Sequence, residues 1–164
     1  VEAELQKKLG ALALEPPKAQ PSSPVAARIS GKAFSIRKSE ACPQSVNLDF
    51  SHQGCLFKAK DDKGEHSVHC GLEKWVDGET AMPGTPPKLT QGKLPPVSKV
   101  AASGTWKDAN TFEMTWRYYE TPHHDTVTCR FAGETIRVEF MDSMTQMSPG
   151  RKDKRPAWEG DLVA

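Results

Sequence analysis

The sequence has no long hydrophobic run, no surplus of charge and no closely spaced cysteines, and each absence removes a class of protein. No stretch approaches the roughly 18 apolar residues that a helix needs to cross a bilayer. Lysine and arginine (22) almost balance aspartate and glutamate (21), for a formal net charge of +1. The two signs are interspersed, which leaves no electrostatic footprint for nucleic acid or an anionic lipid surface. The basic run Arg151-Lys152-Asp153-Lys154-Arg155 is short, contains an acid and reads as a solvated loop. The cysteines, Cys42, Cys55, Cys70 and Cys129, form no Cys-x-x-Cys pair and no zinc rhythm with the five histidines. No metal site and no cofactor motif is expected. Gly92-Lys93-Leu94 lacks the hydroxyl residue and the following helix of a phosphate-binding loop. The start, Val1-Glu2-Ala3-Glu4, has none of the features of a signal peptide and, without a leading Met, fixes no compartment.

What is present divides the chain into three stretches. Residues 1–14 read as a helix, with Leu5, Leu9 and Leu12 on one stripe, stopped by Pro16-Pro17. Residues 15–29 read as a Pro-rich linker. From about residue 30 to 164 the period changes to two, and three hairpins follow from pattern and turn together. In the first, the turn Asp61-Asp62-Lys63-Gly64 places Cys55 opposite Cys70 and Phe57 opposite Val68. In the second, around Asp108-Ala109-Asn110, Trp106 faces Phe112 and Ala102 faces Trp116, with Asn110 expected in a left-handed conformation. In the third, Val127, Cys129 and Phe131 lead through Ala132-Gly133-Glu134 to Ile136, Val138 and Phe140. Further strands near Lys32–Arg37 and Ser45–Ser51, with a short one at Lys74–Glu79, bring the total to eight or nine. The fold class is all-β: an antiparallel eight- or nine-stranded barrel or sandwich, lipocalin-like, preceded by one short helix and the linker. The long loop Met82–Pro96, rich in proline, reads as a lid, a rim or an interface arm.

Few residues suggest chemistry. Ser35-Ile36-Arg37-Lys38 matches a Ser-x-x-Lys pattern, but on a strand the serine and lysine point to opposite faces. His66 and His69, three apart on a strand, likewise diverge and read as exposed. The segment Tyr118 to Asp125 concentrates polar and aromatic groups, so Tyr119, Glu120, His123 and Asp125 are candidate ligand or partner contacts. Trp75, Trp106, Trp116 and Trp158 could line a ligand cavity, with Trp106 and Trp116 on the inward stripe, although packing alone would also place them there. No catalytic residue is assigned.

The stretch Gly104 to Phe131, with its Trp-x-Asp-x-Asn-Thr turn at Trp106–Thr111, its Tyr-x-Glu-Thr-Pro segment at Tyr118–Pro122 and its Thr-Val-Thr strand at Thr126–Thr128, resembles the C-terminal β-domain of bacterial β-lactamase-related, penicillin-binding-protein-like serine hydrolases. The resemblance extends over most of Ser30–Phe140 and takes in the helix and linker before it. It implies a non-catalytic accessory domain that docks on or caps a catalytic serine-hydrolase domain upstream in the same polypeptide, in the cell envelope or secreted. It carries over no catalytic residue. The alternative is a free-standing β-barrel that binds a small apolar ligand.

Overall fold

The structure, a computed structural model, describes residues 1–37, 42–83, 97–148 and 150–163. Among them are ten strands: β1 (Ala33–Ile36), β2 (Ser45–Phe50), β3 (Gly54–Asp61), β4 (Gly64–Leu72), β5 (Val76–Thr80), β6 (Ser98–Asp108), β7 (Thr111–Arg117), β8 (His124–Ala132), β9 (Thr135–Asp142) and β10 (Trp158–Leu162). The helices are α1 (Glu2–Gly10), α2 (Pro24–Ile29) and α3 (Ser143–Met147). The strands pair in the order β4-β3-β2-β1-β10-β9-β8-β7-β6, and a short parallel contact, Gly71↔Ser103 and Leu72↔Gly104, joins β4 to β6 and closes the ring. β5 pairs antiparallel along the rest of that edge of β6, from Val76↔Ala102 to Thr80↔Ser98. The result is an all-β barrel of nine strands with β5 filling the seam.

The hairpin registers follow the alternation of apolar residues. Cys55 pairs with Cys70 and Phe57 with Val68. Ala102 pairs with Trp116, Trp106 with Phe112, Cys129 with Val138, and Phe131 with Ile136. A one-residue slip would turn every one of these side chains outward, which is why a single buried face specifies register so strongly. The β6–β7 turn differs from expectation in one respect. Asn110 is not left-handed: the positive φ values outside glycine, among the described residues, are confined to Glu73 at 53°. A bulge between Trp106 and Asp108 absorbs the extra residue, and the Asp108 carboxylate accepts from the Asn110 amide at 2.8 Å.

The linker reading of residues 15–29 ends earlier than expected, since Pro24–Ile29 is helix α2. Ser23 caps it by accepting from the Val25 amide, Pro24 occupies the first turn where it needs no amide proton, and Val25 and Ile29 are buried. α2 thereby plugs the end of the barrel where β2, β4 and β6 finish. The segment before it runs along β6, where Gln20 and Trp106 exchange backbone hydrogen bonds at 2.9 and 3.0 Å. Glu73 pins that segment from the β4–β5 corner, accepting from the Ala19 amide at 2.8 Å and the Thr105 hydroxyl at 3.0 Å. α1 covers nothing: none of its residues is buried, and Leu5 and Leu9 are about half exposed.

Buried side chains line the barrel interior along its length. Beside α2 the rings of Phe34, Phe50, Trp106, Phe112 and Phe131 stack with centroids 5.0 to 6.0 Å apart. In the middle lie Met114 and the thiols of Cys55, Cys70 and Cys129, all fully buried. The cysteines are free, so the cross-strand pair Cys55 and Cys70 is two neighbouring thiols. Towards the far end come Phe57 and Trp116, then Phe140 stacked on Trp158 at 4.6 Å. Burying large apolar groups of this kind contributes about 1.5–3 kcal/mol each.

Candidate functional site

The far end of the barrel, opposite α2, is where polar groups meet the interior. There the turn Asp61–Gly64 joins β3 to β4, β2 begins after Pro43, β5 ends before Met82, and β10 begins at Trp158. Between them is a cavity of about 330 Å³ whose wall includes Cys42, Pro43, Ala59, Asp61, His66, Met82, Pro83 and Trp158. That volume falls at the lower end of the range for small-molecule sites. Ala59, Met82 and Trp158 form an apolar floor and are all buried.

The polar side of the cavity is built by one hairpin. Asp61 closes the tight turn, its Oδ1 accepting from the amides of Lys63 at 2.8 Å and Gly64 at 3.1 Å. Its Oδ2 lies 3.1 Å from Nε2 of His66, whose side chain is 11% exposed. Burial works to raise the Asp61 carboxyl, but the Lys63 amide, the His66 side chain and the Gly64 amide outweigh it and hold the group below its ordinary value. Asp61 is therefore an acceptor, and the proton between the two belongs on Nε2 of His66.

His66 had read as exposed, and the structure corrects that. It occupies the inward stripe of β4 with Val68 and Cys70, while His69 is exposed. The parity that placed Val68 and Cys70 inside includes residue 66. What it did not contain was the barrel mouth, where an inward side chain meets a cavity instead of a packed core. Trp158, one of the tryptophans that could line a cavity, does line this one, whereas Cys42 and Met82 were beyond reach, because they join it only on ring closure.

The candidates taken from sequence are scattered. Tyr119 is 54% exposed, and Glu120 is also exposed. His123 is partly buried, its Nδ1 3.4 Å from the Ser143 hydroxyl. Trp106 lies in the aromatic layer beside α2, far from the others. Trp116 and Asp125 do meet, as cross-strand partners at the far end. Asp125 accepts from the Tyr118 hydroxyl at 3.0 Å and from both Nη atoms of Arg155, and Arg155 also reaches Asp153 and lies over the Phe140 ring. The basic run ending in Arg155 is thus not wholly a solvated loop. Burial pushes the Tyr118 hydroxyl well up, and the Asp125 charge adds to it. This network has satisfied itself internally and offers a ligand little. Ser35 faces outward on β1, and its would-be partner Lys38 lies outside the described residues, as do Gly92–Leu94 and residues 84–96 of the long loop.

A second cavity of about 340 Å³ lies between α2 and Phe50, Leu72 and Trp106. Two of its serines are occupied at the ends of α2: Ser23 donates to the Ala109 carbonyl at 2.6 Å, and Ser30 donates to Asp49 at 3.0 Å. Among the described residues, no group of three or more His, Cys, Asp or Glu could hold a metal ion. None of the helices is long and apolar enough to cross a membrane.

No protein-family model matches the sequence, and no curated protein matches it. Solved structures do. A fatty acid-binding protein from brain tissue of Drosophila melanogaster aligns at a TM-score of 0.50 and 9% identity, over 82% of this chain and 99% of its own. A fatty-acid-binding protein isolated from Manduca sexta aligns at 0.46 and 11% identity, over 83% and 99%. The first likeness shows the fold: a closed β-barrel of the fatty-acid-binding, lipocalin-like kind. It overturns the resemblance to the C-terminal domain of β-lactamase-related, penicillin-binding-protein-like hydrolases, because the fold matched is that of a free-standing fatty acid-binding protein and no family model matches. The accessory-domain function, the upstream catalytic partner and the cell-envelope placement rested on that resemblance and lose their ground with it. The Trp-x-Asp-x-Asn-Thr motif forms the bulged β6–β7 turn, Tyr118–Pro122 the hydrogen-bonded connection from β7 to β8, and Thr126–Thr128 part of β8.

Proposed function

We propose that this chain is a binding protein, not an enzyme, and that it takes a short apolar or amphiphilic ligand at the far-end mouth of the barrel. The observation that carries this reading is the mouth cavity itself, with an apolar floor of Ala59, Met82 and Trp158 and one converging polar pair, Asp61 and His66. Concave, mostly apolar sites with a few placed polar groups are what small ligands select. The name of the first neighbour, a fatty acid-binding protein, points to an alkyl-chain ligand by analogy of fold alone. The interior argues for a short ligand, since the space an extended chain would need is filled by aromatic rings and thiols. Binding, and not turnover, suits the wall: among the described residues no hydrogen bond joins the Cys42 thiol to His66, so the nucleophile and base of a thiol enzyme are not paired.

Titration of the isotope-labelled protein with decanol, followed by amide and indole NMR shifts, tests the reading. Shifts should cluster on Ala59, His66, Met82 and Trp158 and saturate. A variant that fills the floor, Ala59→Leu, should abolish them while leaving the remaining spectrum folded. Shifts confined to residues around α2, or none at all, would overturn the assignment.

A further inference from the structure

Resting on that reading, we infer that the mouth selects ligands whose head group donates a hydrogen bond, a hydroxyl or an amine, and rejects carboxylates. The argument concerns what each polar atom has left to offer. Asp61 already receives two backbone amides and Nε2–H of His66, and as a carboxylate it can only accept. With the proton on Nε2 toward the Asp61 carboxylate, neutral His66, a residue of the cavity wall, keeps a lone pair on Nδ1, which has no hydrogen-bond partner among the described residues. Among the described residues of the same wall, the exposed Asp62 carboxylate is balanced by the exposed Lys63 ammonium. The partly buried groups that remain, Asp61 and His66, are acceptors toward a ligand.

Arg155, which reaches inward at this end, is engaged by both Asp125 and Asp153. A fatty-acid head group would have to displace a bidentate partner that is itself fully buried. A donor head group meets no such obstacle, and a site built to accept from one discriminates strongly against a head group that cannot donate.

Three ligands of equal chain length, decanol, decylamine and decanoate, compared by calorimetry at about pH 8, separate the possibilities. The alcohol or the amine should bind at least about tenfold more tightly than the acid. In His66→Phe that preference should shrink severalfold while the alkyl contribution persists, and ¹⁵N NMR of wild-type His66 should show Nδ1 shifting as it accepts a hydrogen bond. Decanoate binding as tightly as decanol would overturn the selectivity and leave the mouth site standing. If none of the three binds at the mouth, the proposed function itself fails.

Discussion

Arg155 lies as a fork across Asp125, with Nη1 2.9 Å from Oδ2 and Nη2 2.8 Å from Oδ1, and the carboxylate it holds is 1% exposed. This joins the loop before β10 to the first turn of β8, so the pair ties the last strand of the ring to its neighbours. Removing one partner strands the other charge away from water. Arg155→Ala should destabilise the fold by about 3 kcal/mol in urea melts. The paired replacement Asp125→Leu/Arg155→Met should be markedly less harmful than that single variant. A single-variant loss below about 1 kcal/mol would mean that the loop is held by other contacts.

Asp153, the second acid on Arg155, makes stability depend on pH. Burial works to raise its carboxyl, but hydrogen bonds from the Arg155 side chain and amide, and from the Asp142 amide, bring it down to about 2 from 3.8. A depressed carboxylate contributes stability that is complete above the unfolded value and lost as pH falls through the folded one. The loss should therefore run between about pH 4 and pH 2 and amount to about 2 kcal/mol. Denaturant melts of Asp153→Asn across that interval should show a correspondingly flatter profile. An unchanged slope would refute the assignment.

Thiol reactivity should separate one cysteine from the rest. Burial pushes the Cys70 thiol up to about 12 and raises Cys55 and Cys129 as well, whereas Cys42 is partly exposed. Only the thiolate reacts. Native protein with a disulfide reagent near pH 8 should release one equivalent quickly, lost in Cys42→Ser, and the others only on unfolding. A second fast thiol in the native state would contradict the barrel interior described above.

Gly104 makes room for a ring. A Cβ there would come 2.4 Å from Cζ of Phe112, which is itself wedged against Phe50 and Trp106. Gly104→Ala should lose about 1–3 kcal/mol, as overpacked cores do. Adding Phe112→Leu should recover part of that loss, a non-additivity that a double-mutant cycle reads directly.

Trp116 tests packing against polarity. It is 1% exposed, and its indole N–H, close enough to Cys70 to favour the thiolate slightly, makes no hydrogen bond. Trp116→Ala should lose about 3–5 kcal/mol. Trp116→Phe should lose much less, because it also removes an unsatisfied buried donor. Equal losses from the two variants would show that the N–H has a partner after all.

Alternation along each strand, with turn residues between, determined the antiparallel hairpins and their registers. The Cys55–Cys70, Trp106–Phe112 and Ala102–Trp116 pairings follow from parity, because a two-residue period and a buried face admit one solution. Tertiary structure decided what depends on closure. β10 reads weakly in sequence: Trp158–Leu162 alternates for only five residues and becomes a strand by bridging β1 and β9. Pro24–Ile29 is too short to hold as an isolated helix and exists because Val25 and Ile29 seal the barrel end. Arg155, in a run that looks solvated, is drawn inward by a carboxylate thirty residues away in sequence. The mouth depends on closure most of all. Ala59, His66, Met82 and Trp158 lie on four separate stretches of chain, and only the shear of a closed ring brings their inward side chains to one rim.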